Sequence, residues 1–267
     1  MCHSAVTRAR DNAEMLRSFL ENATRRSAFR RTLPADVGGA RIYVSGSAGL
    51  KYLFRSMEFV DPVLCRLARE FVQRGFVVWD VGANIGLFSF AAAHLAGESG
   101  KVIAFEPDGW LVQLLRRSAS IQPSSSARVQ IVPAAVANSC DLRTFNIAVR
   151  SRASNSLADY GHGHTGGIAE QQTVISLSLD WLAERLPLPD VIKIDVEGAE
   201  LEVLSGALGL LQRKSPVILC EVCSDRSRDV SELLSSVGYR IYDGEAIPAK
   251  RQEIAAAPWS TVAIHAR

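Results

Sequence analysis

Four short, mostly apolar runs in this chain stop on an acid: residues 76–79 before Asp80, 102–105 before Glu106, 191–194 before Asp195 and 217–220 before Glu221. A carboxylate adds nothing to a core and is costly to bury unpaired, so each acid marks where a buried strand ends. Helical periodicity fills the intervals. Asp61 caps a lead-in helix with Pro62 at its first position and Val63, Leu64, Leu67, Ala68, Phe71 and Val72 on one face, closed by Gly75. Alternation of strand, acidic turn and helix predicts an α/β domain with a largely parallel sheet. In such sheets ligands bind beyond the carboxyl ends of the strands, where these acids fall.

Composition removes other classes. Of 267 residues, 48% are hydrophobic and 22% charged, enough apolar side chain for a sizeable core and too much for intrinsic disorder. With 30 Lys+Arg against 28 Asp+Glu the net charge is +2, which supplies no global attraction for nucleic acid. No run approaches the roughly 18 apolar residues of a membrane span. The first 31 residues lack the apolar centre of a secretory signal, and five scattered cysteines form no disulfide framework, so a cytoplasmic location is expected. Nothing in the composition sets an oligomeric state.

Further strands are predicted at 129–132, 239–242 and 261–264, and a helix with Leu201, Val203, Leu204, Leu208 and Leu211 inward. The interval between 132 and 191 is long for a connection. It holds two stretches that can be strands, 142–149 and 173–179, around a polar segment bearing Gly, His162 and His164, and reads as an insertion at about 140–180 with a mobile loop. The expected organisation is an N-terminal helical extension over 1–60, part of the same unit, and a main domain over 61–267.

The first turn, Asp80-Val-Gly-Ala-Asn-Ile-Gly86, fails the G-x-G-x-x-G dinucleotide pattern, because Asn84 and Leu87 stand where glycines are required. A P-loop is absent too. A Gly-x-x-x-Gly turn with Glu106 twenty residues beyond Gly86 suits a nucleoside without a pyrophosphate, the acid accepting ribose hydroxyls.

The strings DVGANIG, VIAFEP, VIKIDVEGAELEVLSGA and PVILCEV resemble the FkbM-type subgroup of class I S-adenosylmethionine-dependent methyltransferases, over about residues 76–242. The resemblance extends to the segment 154–157 and to 177–182. It implies a Rossmann-like, doubly wound, mostly parallel seven-stranded sheet with an antiparallel last strand and helices on both faces, with S-adenosyl-L-methionine as cofactor. Asp80, Gly82, Asn84 and Gly86 would form the turn facing the cofactor's amino-acid and ribose parts, Glu106 would hold the ribose, and Pro133, Ala134 and Ala135 would lie near the adenine. Asp195 and Glu197 would face the transferred methyl and the acceptor. One departure is that the helix after Glu106-Pro107, which in relatives often carries Asn, has none over 111–122.

The resulting reading is O-methylation of a hydroxyl on a small molecule, natural product or glycan. Its alternatives are a nicotinamide-dependent oxidoreductase and an inactive cofactor-binding module. On an extended 193–197 segment, alternation sends Lys193, Asp195 and Glu197 to one side, so one carboxylate of a close pair can act as base. Glu197 and Glu200 can equally begin the next helix, where acids complement its dipole, and Lys193 serves as a strand-end ion-pair partner. A divalent metal held by Asp195, Glu221 and a loop histidine is a further option, although histidines in a Gly-rich loop are more often solvated. Cys220 and Cys223 read as core or near-core thiols. Arg25, Arg26, Arg30 and Arg31 read as the solvated face of an N-terminal helix, with an anionic substrate or lipid head group as the alternative.

Overall fold

The computed structural model describes residues 27–149, 151–160 and 166–266. In chain order, β1 (Phe29–Thr32) and β2 (Arg41–Val44) form a hairpin that leads through 3-10 turns to α1 (Lys51–Phe54) and α2 (Pro62–Phe71). Next come β3 (Val77–Val81), α3 (Leu87–Ala96), β4 (Lys101–Phe105), α4 (Gly109–Ala119) and β5 (Arg128–Val132). The insertion carries β6 (Ala135–Val136), β7 (Asp141–Ala148), β8 (Ser156–Leu157) and β9 (Ile168–Leu177). The chain continues with α5 (Leu179–Ala183), β10 (Val191–Ile194), α6 (Glu200–Ser205), α7 (Leu208–Lys214), β11 (Val217–Glu221) and α8 (Ser227–Ser236). It ends with β12 (Tyr239–Asp243), β13 (Glu253–Ile254) and β14 (Ser260–His265).

The main sheet runs β13-β12-β14-β11-β10-β3-β4-β5, with β14 antiparallel to both neighbours. The doubly wound, mostly parallel architecture is therefore present. The two-residue β13 at the edge is an eighth strand beyond the seven expected. Residues alternate between two buried faces: Val78, Val102, Ala104, Val191 and Leu219 pack with α2, α3 and α4, while Trp79, Ile103, Phe105, Ile192 and Ile218 pack with α5 to α8. Chain direction across the sheet switches between β3 and β10, and this opens a crevice at their carboxyl ends.

Three expectations need correction. Over residues 27–60 the predicted helical extension is a hairpin with helical turns, because Pro34, Gly38 and Gly39 break helix and the alternation in β2 buries Ile42 and Val44 against the core. Arg30 and Arg31 thus lie on a strand, and the Arg31 guanidinium donates to the carbonyls of Leu53 and Arg55; Arg25 and Arg26 fall outside the described residues. In the insertion, β9 begins at Ile168, earlier than its polar sequence suggested. It pairs with β7 along its length while exposing most of its side chains, so hydrophobic alternation is weak there. The helix expected across 201–211 is two, and the restart is capped by the Asp180 carboxylate, which accepts the Gly209 and Leu210 N–H groups. Among the described residues no helix is long and apolar enough to cross a membrane.

Candidate active site

After β3 the chain turns under the end of β4. Gly82 and Ala83 donate to the Phe105 carbonyl at 3.1 and 3.0 Å, and the Asn84 N–H reaches Glu106 Oε2 at 2.8 Å. Gly82 has φ +75°, and a Cβ there would lie 1.8 Å from the Asp195 carbonyl oxygen, so only glycine lets the β3 turn meet the end of β10. Asn84 adopts the left-handed conformation, φ +52°, and its buried Oδ1 has no hydrogen-bond partner.

Glu106 is buried, its other oxygen accepting the Asp108 N–H at 2.9 Å. Burial, against these two N–H bonds, pushes its carboxyl up to about 8. Gly82, Asn84, Glu106, Ala134, Ala135, Asp195 and Glu197 line one narrow pocket of about 50 Å³.

Three residues expected at this pocket do not line it. Asp80 lies inside β3, wholly buried, accepting from Ser89 Oγ and pairing with Lys193. Gly86 faces the core, where a Cβ would meet Phe90 and Leu115 within 2.8 Å. Pro133 points outward as the chain leaves β5. Arg152 and Asn155, unassigned by the sequence reasoning, do line the pocket. Both donate to Asp108 Oδ2 and so tie the insertion to the cap of α4. The Ser-Asn-Ser-Leu string was the sequence signal for Asn155; Arg152 had none.

The parallel register sets Lys193 opposite Asp80. The buried ammonium donates to the Gly82 carbonyl at 2.9 Å and pairs with Asp195 at 3.3 Å and Asp80 at 3.4 Å. Burial would lower its pKa, but Asp195, Asp80 and Glu221 outweigh that and raise it. Strand geometry ends at Ile194, and Glu197 sits in a left-handed turn at φ +54°, so simple alternation does not set its direction. It reaches the pocket even so. Burial and then the neighbouring charges of Asp195 and Glu221 push its carboxyl to about 8. Glu221 is raised to about 8 by burial and Asp195, with Lys193 opposing. Glu200 begins α6 and accepts the Gly198 N–H.

A wider cleft of about 540 Å³ adjoins the pocket and shares Glu197 with it. Tyr160, Arg226 and Trp259 contribute to its walls, from the insertion, the β11–α8 loop and the approach to β14. None of the three stood out in sequence. Among the described residues no group of three or more His, Cys, Asp or Glu is arranged to hold a metal, and His162 and His164 lie outside those residues. Cys220 is buried and Cys223 half-buried, both free.

Residues 80–241 match the model of the methyltransferase FkbM domain. The hexuronic acid methyltransferase AglP of Haloferax volcanii is 29% identical over 217 residues, which span 80% of this chain and 84% of that protein. Among solved structures, the FkbM methyltransferase of Methylobacillus flagellatus has a TM-score of 0.43 at 16% identity, with 76% of this chain covered. The chain spans half the length of that structure. The precorrin-6y C5,15-methyltransferase of Geobacter metallireducens has a TM-score of 0.45 at 16% identity, covering 81% of this chain and 91% of that one. With the family model matched from the acid of β3 to β12, over more than half of its length, the chain belongs to the FkbM methyltransferase family.

Proposed function

We propose that this methyltransferase takes its methyl from S-adenosylmethionine and places it on a hydroxyl oxygen of a sugar-containing acceptor. The observation that carries the reading is the meeting of a narrow, mostly apolar pocket bearing a few polar groups with an open cleft at a single carboxyl group, Glu197. The pocket's chemistry suits the donor. Glu106 has spare lone pairs for a ribose diol, the orphaned Asn84 Oδ1 can accept an N–H or O–H, and Ala134 and Ala135 offer a small apolar wall for a flat base. Arg152, Ala153 and Asn155 line the same pocket, so the 152–155 turn borders the place proposed for the donor. The sugar acceptor draws its support from AglP, a hexuronic acid methyltransferase by its name.

S-adenosylmethionine, when bound, would supply an electrophilic methyl carbon, which can bond to an oxygen as its carbon–sulfur bond breaks and a neutral thioether leaves. Asp195, which lines the pocket and is oriented by Lys193, would contribute negative charge towards the cationic sulfonium. Glu197 accepts the acceptor's proton on a carboxylate oxygen. A base with pKa near 8 is mostly protonated at pH 6 and mostly ionised at pH 9, so turnover rises about tenfold per pH unit below 8 and levels above it.

Labelled-methyl transfer to neutral and acidic oligosaccharides, followed across that pH range with the product identified by mass spectrometry, tests the reading. Transfer to a hydroxyl, with the rising limb removed in Glu197→Gln, is the expected result. A methyl ester formed with a flat profile would overturn the hydroxyl and the base, since a carboxylate nucleophile needs no deprotonation. Absence of transfer to any sugar would overturn the acceptor class.

A further inference from the structure

We propose that the cleft beside Glu197 is an acceptor subsite for a sugar carrying a carboxylate, with Arg226 binding that carboxylate while a hydroxyl of the same saccharide faces Glu197. This deepens the sugar-acceptor reading and rests on it. Three features of the cleft carry the assignment.

Arg226 is half-buried in the wall, and among the described residues its guanidinium meets no carboxylate within ion-pair distance. Its guanidinium carbon lies 6.0 Å from the centroid of the Tyr160 ring. A guanidinium without an acid partner keeps its fork of N–H donors free for a planar anion, and bidentate pairing with carboxylate matches that geometry. Half-buried arginines elsewhere in this chain have acid partners: Arg143 pairs with Asp159, Arg152 with Asp108 and Arg251 with Glu70.

The second feature is aromatic. Trp259 is 54% exposed and Tyr160 half-buried, both lining the cleft. The electron-rich face of an aromatic ring attracts the polarised C–H bonds on one face of a pyranose. An exposed indole lining the same cleft as an unpaired guanidinium therefore matches both the apolar face and the charge of an acidic sugar.

The third feature is placement. Glu197 borders both this cleft and the narrow pocket, so a saccharide here has the proposed base within the same cavity. The lining holds two carboxyl groups, Glu197 and Asp225, and neither lies within ion-pair distance of Arg226, so the guanidinium is open to an incoming carboxylate.

The test uses the full chain saturated with S-adenosylhomocysteine. Two disaccharides are titrated by calorimetry, one ending in glucuronic acid and the other in glucose. Preference for the acidic sugar is expected, with Arg226→Gln weakening its binding about 10- to 100-fold, Arg226→Lys restoring part of it, and the neutral sugar unaffected by either. Trp259→Ala should weaken both disaccharides together. Equal binding of the two sugars, or an Arg226→Gln loss shared by both, would overturn the carboxylate subsite and leave the sugar reading standing. No binding of either sugar, with S-adenosylhomocysteine bound, would overturn both.

Discussion

The narrow pocket and the open cleft share one residue, Glu197, and are otherwise built in opposite ways. In the pocket the frame is held by backbone, Glu106 by the N–H groups of Asn84 and Asp108 and the turn by the Phe105 carbonyl, while the Asp108 carboxylate ties Arg152 and Asn155 and Lys193 holds Asp195. In the cleft the side chains come from three separate loops and few are spoken for. A backbone-held site needs a given spacing of residues and tolerates little change. A loop-built site can vary its side chains while the frame persists. Donor binding should therefore fail when the frame is touched, and acceptor choice should change without loss of fold.

The largest expected break of this contrast comes from Lys193→Met. It leaves Asp80 and Asp195 without their shared cation, and Asp80 is wholly buried, so a loss of about 3–5 kcal/mol is expected in denaturant unfolding. Near-normal stability in that variant would mean the ammonium is not the keystone its contacts suggest.

Gly82→Ala comes next. Its methyl would overlap the Asp195 carbonyl in a backbone conformation that alanine disfavours, costing about 2–3 kcal/mol and separating the β3 and β10 ends. Calorimetry with S-adenosylhomocysteine should then show no binding even at temperatures where the variant is folded.

A smaller change is Glu106→Gln. Two N–H groups point at the two carboxylate oxygens, so an amide must set its NH2 against one of them, losing about 1–3 kcal/mol between turn stability and donor affinity. Unaltered donor affinity would remove Glu106 from the proposed ribose site.

Mildest of all, Arg152→Ala releases one tie between the insertion and Asp108 while the Asn155 tie remains. A cost of about 1 kcal/mol is expected, with donor association and dissociation both faster in stopped-flow measurements. Unchanged rates would indicate that the 152–155 turn does not control access.

Much of this frame could be read from residues alone, for a physical reason. Strands buried on both faces are runs of apolar side chains, and a run that ends on an acid announces both its own end and the crevice beyond it, as with Glu106 and Asp195. Other parts resisted reading. Pairing partners supply the strand character of β9, whose exposed Glu170 and Gln171 and half-buried Gln172 look like loop. The first hairpin is four residues a side and rich in arginine, and its burial comes through packing of β2 against α4. Glu197 belongs to a left-handed turn that period-two alternation does not describe. Arg152 and Arg226 acquire meaning from neighbours dozens of residues away, Asp108 and Tyr160. Asp80 shows the converse case, an acid that the sequence assigned to the site and that the strand register buries beside a lysine.

That register has a consequence for folding fidelity. Lys193 and Asp80 lie on the face of the sheet shared by Val191 and Val78, and side chains one position away, Ile192 and Ile194, serve the opposite core. A slip of β10 by a single residue would carry the ammonium into that second core among isoleucines and leave Asp80 with no cation, while moving isoleucines to the other face. Mispaired sheets are thus penalised by charge before any side-chain packing is compared, and the lysine that orients Asp195 also serves as a proofreading element for the central strand pair.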